Sequence, residues 1–337
     1  MNHHRTFNSL IQEIRPFLSS GLCTSEYWNK IGQVASQFPL LSQGMFELRL
    51  SDHDHQIDFG VLIVRDWGEM DLLLEFHKCE DNWLKEPQER WKRILEICRK
   101  TISENGLLAR AIQNIWVAFD LDSQQAITPY AYFVTRPQRY IPEITAAISK
   151  QILCQYGIRI TDAQYSIAKA LLEALPSSAS LEAFGFIENR HTDVFRLALR
   201  PFHEIDAIAD YLKEINGYAA FSNQSNLVTA MIKESESCQM LLDIADGLIP
   251  RIGLEFWINR DCNLVKSTKM LNLLIDHDFC NQQTGGQYLD WISYKEKNKS
   301  PTHSRWINHV KLTFEEGKPL QAKVYLSFST KVQDRKY

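Results

Sequence analysis

The sequence predicts an α+β fold: about ten antiparallel strands closing into a barrel with helices outside, in αββα repeats, as a single domain over residues 1–330. Three observations predict it. Strand-like segments come in pairs, and helix-like segments separate the pairs. Strands joined by short turns are antiparallel, which disfavours a doubly wound parallel sheet. Each strand also carries one apolar face and one face of Arg, Lys, Glu, Trp and Tyr. An open antiparallel sheet with helices on one face fits the same pattern. Closure is favoured because it removes the exposed edges of so large a sheet.

The elements follow in order. Phe7, Leu10, Ile11, Ile14 and Phe17 recur at helical spacing, and Trp28, Ile31, Val34 and Phe38 do so again. Residues 45–50 alternate, 52–55 form a polar turn, 59–64 are β-branched and apolar, and 70–76 read as a third strand. A helix is expected over 87–104, with Pro87 in its first turn. Strands at 115–120 and 129–135 precede helices near 141–156 and 162–174. Strands at 181–187 and 194–200 precede helices near 203–215 and 226–247. A strand over 251–258, a helix over 267–276 and a glycine-containing turn at 282–286 come next. Residues 295–304 read as a polar surface loop. Strands at 307–314 and 321–328 flank a hairpin turn, and 331–337 read as a frayed tail.

Composition excludes several classes. The 337 residues are 45% hydrophobic and 23% charged, which is ordinary globular usage, so collagen-like and low-complexity readings fail. A formal net charge of −4 without a basic stripe argues against a nucleic-acid partner. Seven cysteines without a CxxC pair read as buried reduced thiols, no secretory signal is visible, and no apolar run reaches membrane-span length. A cytoplasmic protein is expected. No GxGxxG follows a strand, and neither GxxxxGK[ST] nor GxSxG occurs, so no organic cofactor is implied. Asp52, His53, Asp54, His55 and Asp58 read as a turn rather than a metal site. His77 and Cys79 share a strand face as a weak pair of soft ligands, and Asp243 with Asp246 reads as a solvated helix face. The eight tryptophans are assigned mainly to core or lumen, Trp83 and Trp91 to one packing stripe.

The polar strand faces carry the chemistry. Lys323 and Tyr325 share a face of the last strand, and His309 and Lys311 share a face of its hairpin partner. Arg196 and Arg200 lie on one face, Glu255 and Trp257 on another, and Glu47 and Arg49 on the first strand. On a solvated sheet such residues would form cross-strand ion pairs of small worth. The αββα rhythm, the Lys323-Val324-Tyr325 strand, His309-Val310-Lys311 beside it, Arg196, Arg200 and Glu47 together resemble the ABBA-type (PT-barrel) aromatic and peptide prenyltransferases. Two positions depart from that family's Lys-x-Tyr pattern: Tyr130-Ala131-Tyr132 lacks the lysine, and Thr313 stands two residues after Lys311.

The resemblance implies prenyl transfer from an isoprenoid diphosphate to an aromatic, heteroaromatic or peptide acceptor inside a lumen. In that reading Arg49, Arg196, Arg200, Lys311 and Lys323 hold diphosphate, Tyr132, Trp257 and Tyr325 shield the allylic cation, and Glu47 or Glu255 is the base. Mg²⁺ has a place beside the diphosphate, although no aspartate motif demands it and no protein metal site is expected. The rival expectation is a non-catalytic accessory protein that captures peptides or proteins on the free edge of an open sheet.

Overall fold

The structure is a computed structural model describing residues 6–50, 56–78, 88–103, 107–121, 127, 129–135, 150, 154, 160–187, 194–215, 223–292 and 303–330. Helices α1 (Phe7–Ile14) and α2 (Ser25–Ala35) open the chain and lead into strands β1 (Gln43–Leu50) and β2 (Ile57–Val64). Helices α3 (Glu69–Phe76), α4 (Gln88–Ile102) and α5 (Leu107–Ala111) precede β3 (Ile112–Phe119) and β4 (Pro129–Thr135). Then come α6 (Asp162–Glu173), β5 (Ser180–Ile187), β6 (Val194–Phe202), α7 (Ile205–Glu214) and α8 (Ser225–Glu234). The remaining elements are β7 (Ser237–Ile244), β8 (Leu248–Trp257), α9 (Asn263–Asp276), α10 (Gln282–Trp291), β9 (His303–Glu315) and β10 (Gln321–Thr330).

All ten strands pair antiparallel with their sequence neighbours, and β1 pairs with β10, so the ladder closes. The open-sheet alternative does not occur, and with it goes the free edge on which strand addition depended. Alternation then sorts the side chains. Phe46, Phe59 and Phe328 point outward and pack with Phe7 of α1, with ring centroids 5.2–6.3 Å apart. Trp28 of α2 and Trp291 of α10 meet Phe46 edge-on. The apolar core is therefore a sleeve between barrel and helices, and the inward strand faces are left for something else.

Four expectations are corrected. Residues 70–76 lie in α3, because the buried residues are Glu69, Met70 and Leu73 while Leu72 is exposed, which is helical spacing. The Glu69 carboxylate also ties that helix start to the sheet by accepting from Ser42 N (2.6 Å) and Val64 N (2.7 Å). The helix expected over 226–247 ends at Glu234, and the rest is strand β7. That strand is buried on both faces, so its apolar run carries no period-2 signal. The expected turn at 282–286 is the first half of α10, capped by the Asn281 side chain accepting from Thr284 N (2.9 Å). At Gly285 the helix packs close to α9, a Cβ there standing 2.8 Å from Ile275 Cδ1. Finally, α1 stops at Ile14 before Pro16, and Phe17 is exposed with the Arg305 guanidinium over its ring.

His77 closes a helix, so no His–Cys pair on a strand face forms, and Cys79 lies outside the described residues. The 141–156 helix (bar residues 150 and 154), the 52–55 turn, Trp83, most of the 295–304 loop and the 331–337 tail also lie outside them. Cys154 and Cys262 are exposed rather than buried, and Trp67 is exposed. Among the described residues no helix is long and apolar enough to cross a membrane.

Candidate active site in the barrel lumen

The inward faces enclose a cavity of about 680 Å³ that every strand lines. Register decides what meets what. Lys323 stands opposite Arg49 and Lys311, and Lys311 opposite Glu255. Glu47 stands opposite Tyr325 and Asp58, and Arg196 opposite Asp243. Arg196 donates to Asp243 through Nε (2.6 Å) and Nη2 (2.9 Å), and its Nη1 donates to the Tyr132 hydroxyl (3.2 Å). Arg251 Nε donates to the same carboxylate at 2.9 Å, so one buried aspartate bridges two guanidinium groups. Lys323 is paired with Glu47, and Arg200 donates to Glu182 at 2.8 Å. Lys311 is held less tightly, 3.6 Å from Glu255, whose other oxygen accepts from Gln239 Nε2 at 2.7 Å.

Aromatic rings fill the opposite role. His309 is stacked between Trp257 (centroids 4.7 Å) and Tyr325 (3.9 Å), and the Arg200 guanidinium lies 4.7 Å over Trp257. Tyr130 and Tyr132 form an edge-on pair at 5.7 Å. Tyr132 lies across Gly185 of β5, where a Cβ would fall 2.3 Å from its ring. That glycine lets the phenol reach Arg196.

Enclosure sets the protonation states. Burial pushes the Lys311 ammonium down to about 8, and Arg196 and Lys323 add repulsion. Burial opposes ionisation of Glu47, yet Lys323 and Lys311 hold its carboxyl down at about 2. Burial likewise resists ionisation of Asp243, but Arg196 and Arg251 keep it well below the usual carboxylate range. Burial lowers the His309 imidazole to about 4 and raises the Tyr325 phenol well above its ordinary value. The described lining balances. Arg49, Arg196, Arg200, Arg251, Lys311, Lys318 and Lys323 make seven basic groups; Glu47, Asp58, Asp120, Glu182, Asp243, Glu255 and Glu315 make seven acidic ones.

In sequence the chain matches no family model and no curated protein. In structure it is similar to 5-dimethylallyltryptophan synthase from Streptomyces coelicolor, at 12% identity and TM-score 0.57, with 96% of this chain and 97% of that one covered. It is similar to AnaPT from Neosartorya fischeri at 9% identity and TM-score 0.56, covering 95% and 91% of the two chains. The prenyltransferase PriB, solved with L-tryptophan and dimethylallyl thiolodiphosphate, matches at 12% identity and TM-score 0.55 over 95% and 94%. The chain has the ABBA prenyltransferase fold.

Within this ABBA barrel, every site residue expected from the sequence faces the one lumen: Glu47, Arg49, Tyr132, Arg196, Arg200, Glu255, Trp257, Lys311, Lys323 and Tyr325. Sequence reasoning missed Asp243 and Gln239, because β7 was read as helix, and gave no role to Arg251, Glu182 or His309. Asp243 is 2% exposed, not a solvated helix face. A protein-held Mg²⁺ does not fit the donors present. Glu47, Glu182, Asp243 and Glu255 each already face a lysine or arginine, and no three His, Cys, Asp or Glu side chains group together among the described residues.

Proposed function

We propose that this chain transfers an isoprenoid chain from its allylic diphosphate to an aromatic or heteroaromatic ring, free or within a peptide, inside the barrel lumen of one domain spanning residues 1–330. One observation carries the reading: Arg196, Lys311 and Lys323, from three strands, converge with Tyr132, Trp257 and Tyr325 in one enclosed chamber. Burial lowers the Lys311 ammonium first and the nearby Arg196 and Lys323 lower it further, a concentration of positive charge that supports an anion site. Breaking the allylic C–O bond sends its electron pair to the diphosphate, and fixed cations in a water-poor cavity stabilise that charge as it develops. Lys311 is the most available, since its contact to Glu255 at 3.6 Å exceeds a hydrogen bond. Arg49, Arg196, Arg200 and Lys323 complete the cradle. Tyr132, Trp257 and Tyr325 shield the allylic cation, each face worth roughly 0.5–2 kcal/mol. Glu47, paired with Lys323, and Glu255, beside Lys311, orient the acceptor. Six described cysteines are free, which supports a reducing, cytoplasmic setting.

Thermal shift tests the reading with dimethylallyl diphosphate, geranyl diphosphate and inorganic pyrophosphate. Stabilisation follows occupancy, about 2.7 kcal/mol at one hundred times Kd. Pyrophosphate alone should raise Tm, and the isoprenoid tail should raise it further. No shift with either isoprenoid ester, together with Lys323→Ala behaving as wild type, refutes the proposal.

A further inference from the structure

Three adjacent strands of the lumen wall carry buried polar atoms without hydrogen-bond partners. They are Gln239 Oε1 on β7, Trp257 Nε1 on β8 and both ring nitrogens of His309 on β9. Such atoms are uncommon in a folded interior, and four of them on neighbouring strands of one cavity wall call for a partner. His309 is 3% exposed, lines the cavity, and is stacked between Trp257 and Tyr325. Its Nε2 lies 3.9 Å from Glu255 Oε2. We propose that His309 takes the proton that leaves the attacked ring carbon of the acceptor, an inference that rests on the transfer reading above.

The step balances. The allylic C–O bond breaks with its electron pair going to diphosphate, and a ring carbon of the acceptor bonds to the allylic carbon. The C–H bond at that ring carbon then breaks; its electron pair restores the aromatic ring, and the proton goes to His309. Imidazolium forms beside Glu255, which stabilises it, and later releases the proton to diphosphate or water. The charged groups facing His309 are Glu255 from β8, Glu47 from β1, Arg200 from β6 and Lys311 on its own strand, with the Tyr325 hydroxyl on β10. Both carboxylates sit against a lysine, whereas the imidazole is neutral at pH 7 with its nitrogens unengaged. The imidazole can therefore take a proton without first giving up an ion pair.

The experiment compares wild type, His309→Phe, which keeps a flat ring in the stack, and His309→Gln, which keeps a polar group without a base. Donor affinity is read by thermal shift with dimethylallyl thiolodiphosphate. Transfer from dimethylallyl diphosphate is read with L-tryptophan and L-tyrosine, each ordinary and ring-deuterated. Donor affinity should stay within about threefold while product formation falls by about 10²–10⁴-fold in at least one variant. A ring-deuterium isotope effect on kcat, small in wild type, should become large in that variant as proton removal turns rate-limiting. A packing role alone would not move that isotope effect. Product formation within about threefold of wild type in both variants overturns the assignment, as does a slower rate with the isotope effect unchanged. Wild type that binds donor but prenylates neither ring refutes the assignment of a ring proton to His309. Wild type that binds no donor refutes the transfer reading itself.

Discussion

Lys311 links the charge state of the lumen to ligand affinity in a way that fixes a sign. Its ammonium is buried, pushed down to about 8, and set among Arg196, Lys323, Glu255 and Glu47. On the proposed reading, binding of an allylic diphosphate needs it protonated. A full charge pair at about 4 Å and an effective dielectric of about 20 is worth about 4 kcal/mol, close to a thousandfold. Glu255 at 3.6 Å already draws on part of that attraction, so the loss on neutralising Lys311 should be about 10–100-fold. Below pH 8 affinity should be at its plateau. Above it, binding must bring a proton with it, and Kd should rise by up to about tenfold per pH unit until it reaches the value for neutral lysine. The assay is calorimetric titration of dimethylallyl thiolodiphosphate at pH 7, 8, 9 and 9.5 for wild type and Lys311→Gln. The variant should bind more weakly at pH 7 and lose the wild-type slope. Equal slopes in the two proteins, or a flat wild type, would refute the argument.

Three further outcomes follow from particular contacts. Asp243→Asn removes the one carboxylate bridging Arg196 and Arg251; breaking a buried pair of this kind should lower stability by about 3–5 kcal/mol. It also releases two guanidinium groups, so the Tm rise on adding thiolodiphosphate should be larger than in wild type, and a smaller rise would contradict the anion site. Gly185→Ala drives a methyl into the Tyr132 ring at 2.3 Å and the Ala131 carbonyl at 2.9 Å. It should cost about 1–3 kcal/mol in urea unfolding and reduce transfer, whereas an unchanged midpoint and rate would show Tyr132 to be mobile. Glu69→Ala leaves the Ser42 and Val64 amides buried without an acceptor, at about 1–3 kcal/mol each. A loss below about 1 kcal/mol in urea would mean that other groups satisfy them.

The barrel was legible because alternation survives wherever the two faces differ chemically. Strands β1, β6, β8, β9 and β10 each show Phe, Leu, Ile or Val outward and charged or aromatic residues inward, so the fold class could be read from them. It failed at β7, where Cys238, Met240 and Leu242 face the helices while Gln239, Leu241 and Asp243 face the lumen, all seven residues from Cys238 to Ile244 being buried. An apolar run interrupted only by Gln239 and Asp243 reads as a buried helix as readily as a strand. Helix α3 failed in the opposite sense, since Met70-Asp71-Leu72-Leu73-Leu74 is too short for its helical period to outweigh its apolar content. The two errors cancel in the strand count, which is why about ten strands were expected and ten are present.

The site followed a different logic. Alternation says that Arg196 and Lys323 turn inward, but partners more than forty residues away are set by register and barrel shear, which no local pattern encodes. Arg196 finds Asp243 and Lys323 finds Glu47 across 47 and 276 residues. Burial makes such partners obligatory. Without counter-charge the largely buried Arg196, Arg251, Lys311 and Lys323 would cost several kcal/mol of desolvation and repulsion each, far more than a folded chain can offset. A closed lumen rich in lysine and arginine therefore has to be rich in aspartate and glutamate too, and the seven acidic groups opposite them are what closure demands. On the proposed reading, an anion would enter by exchanging places with carboxylates rather than by meeting bare cations. Lys311 with Glu255, at 3.6 Å, is the loosest of the lining ion pairs named above and the place where that exchange would begin.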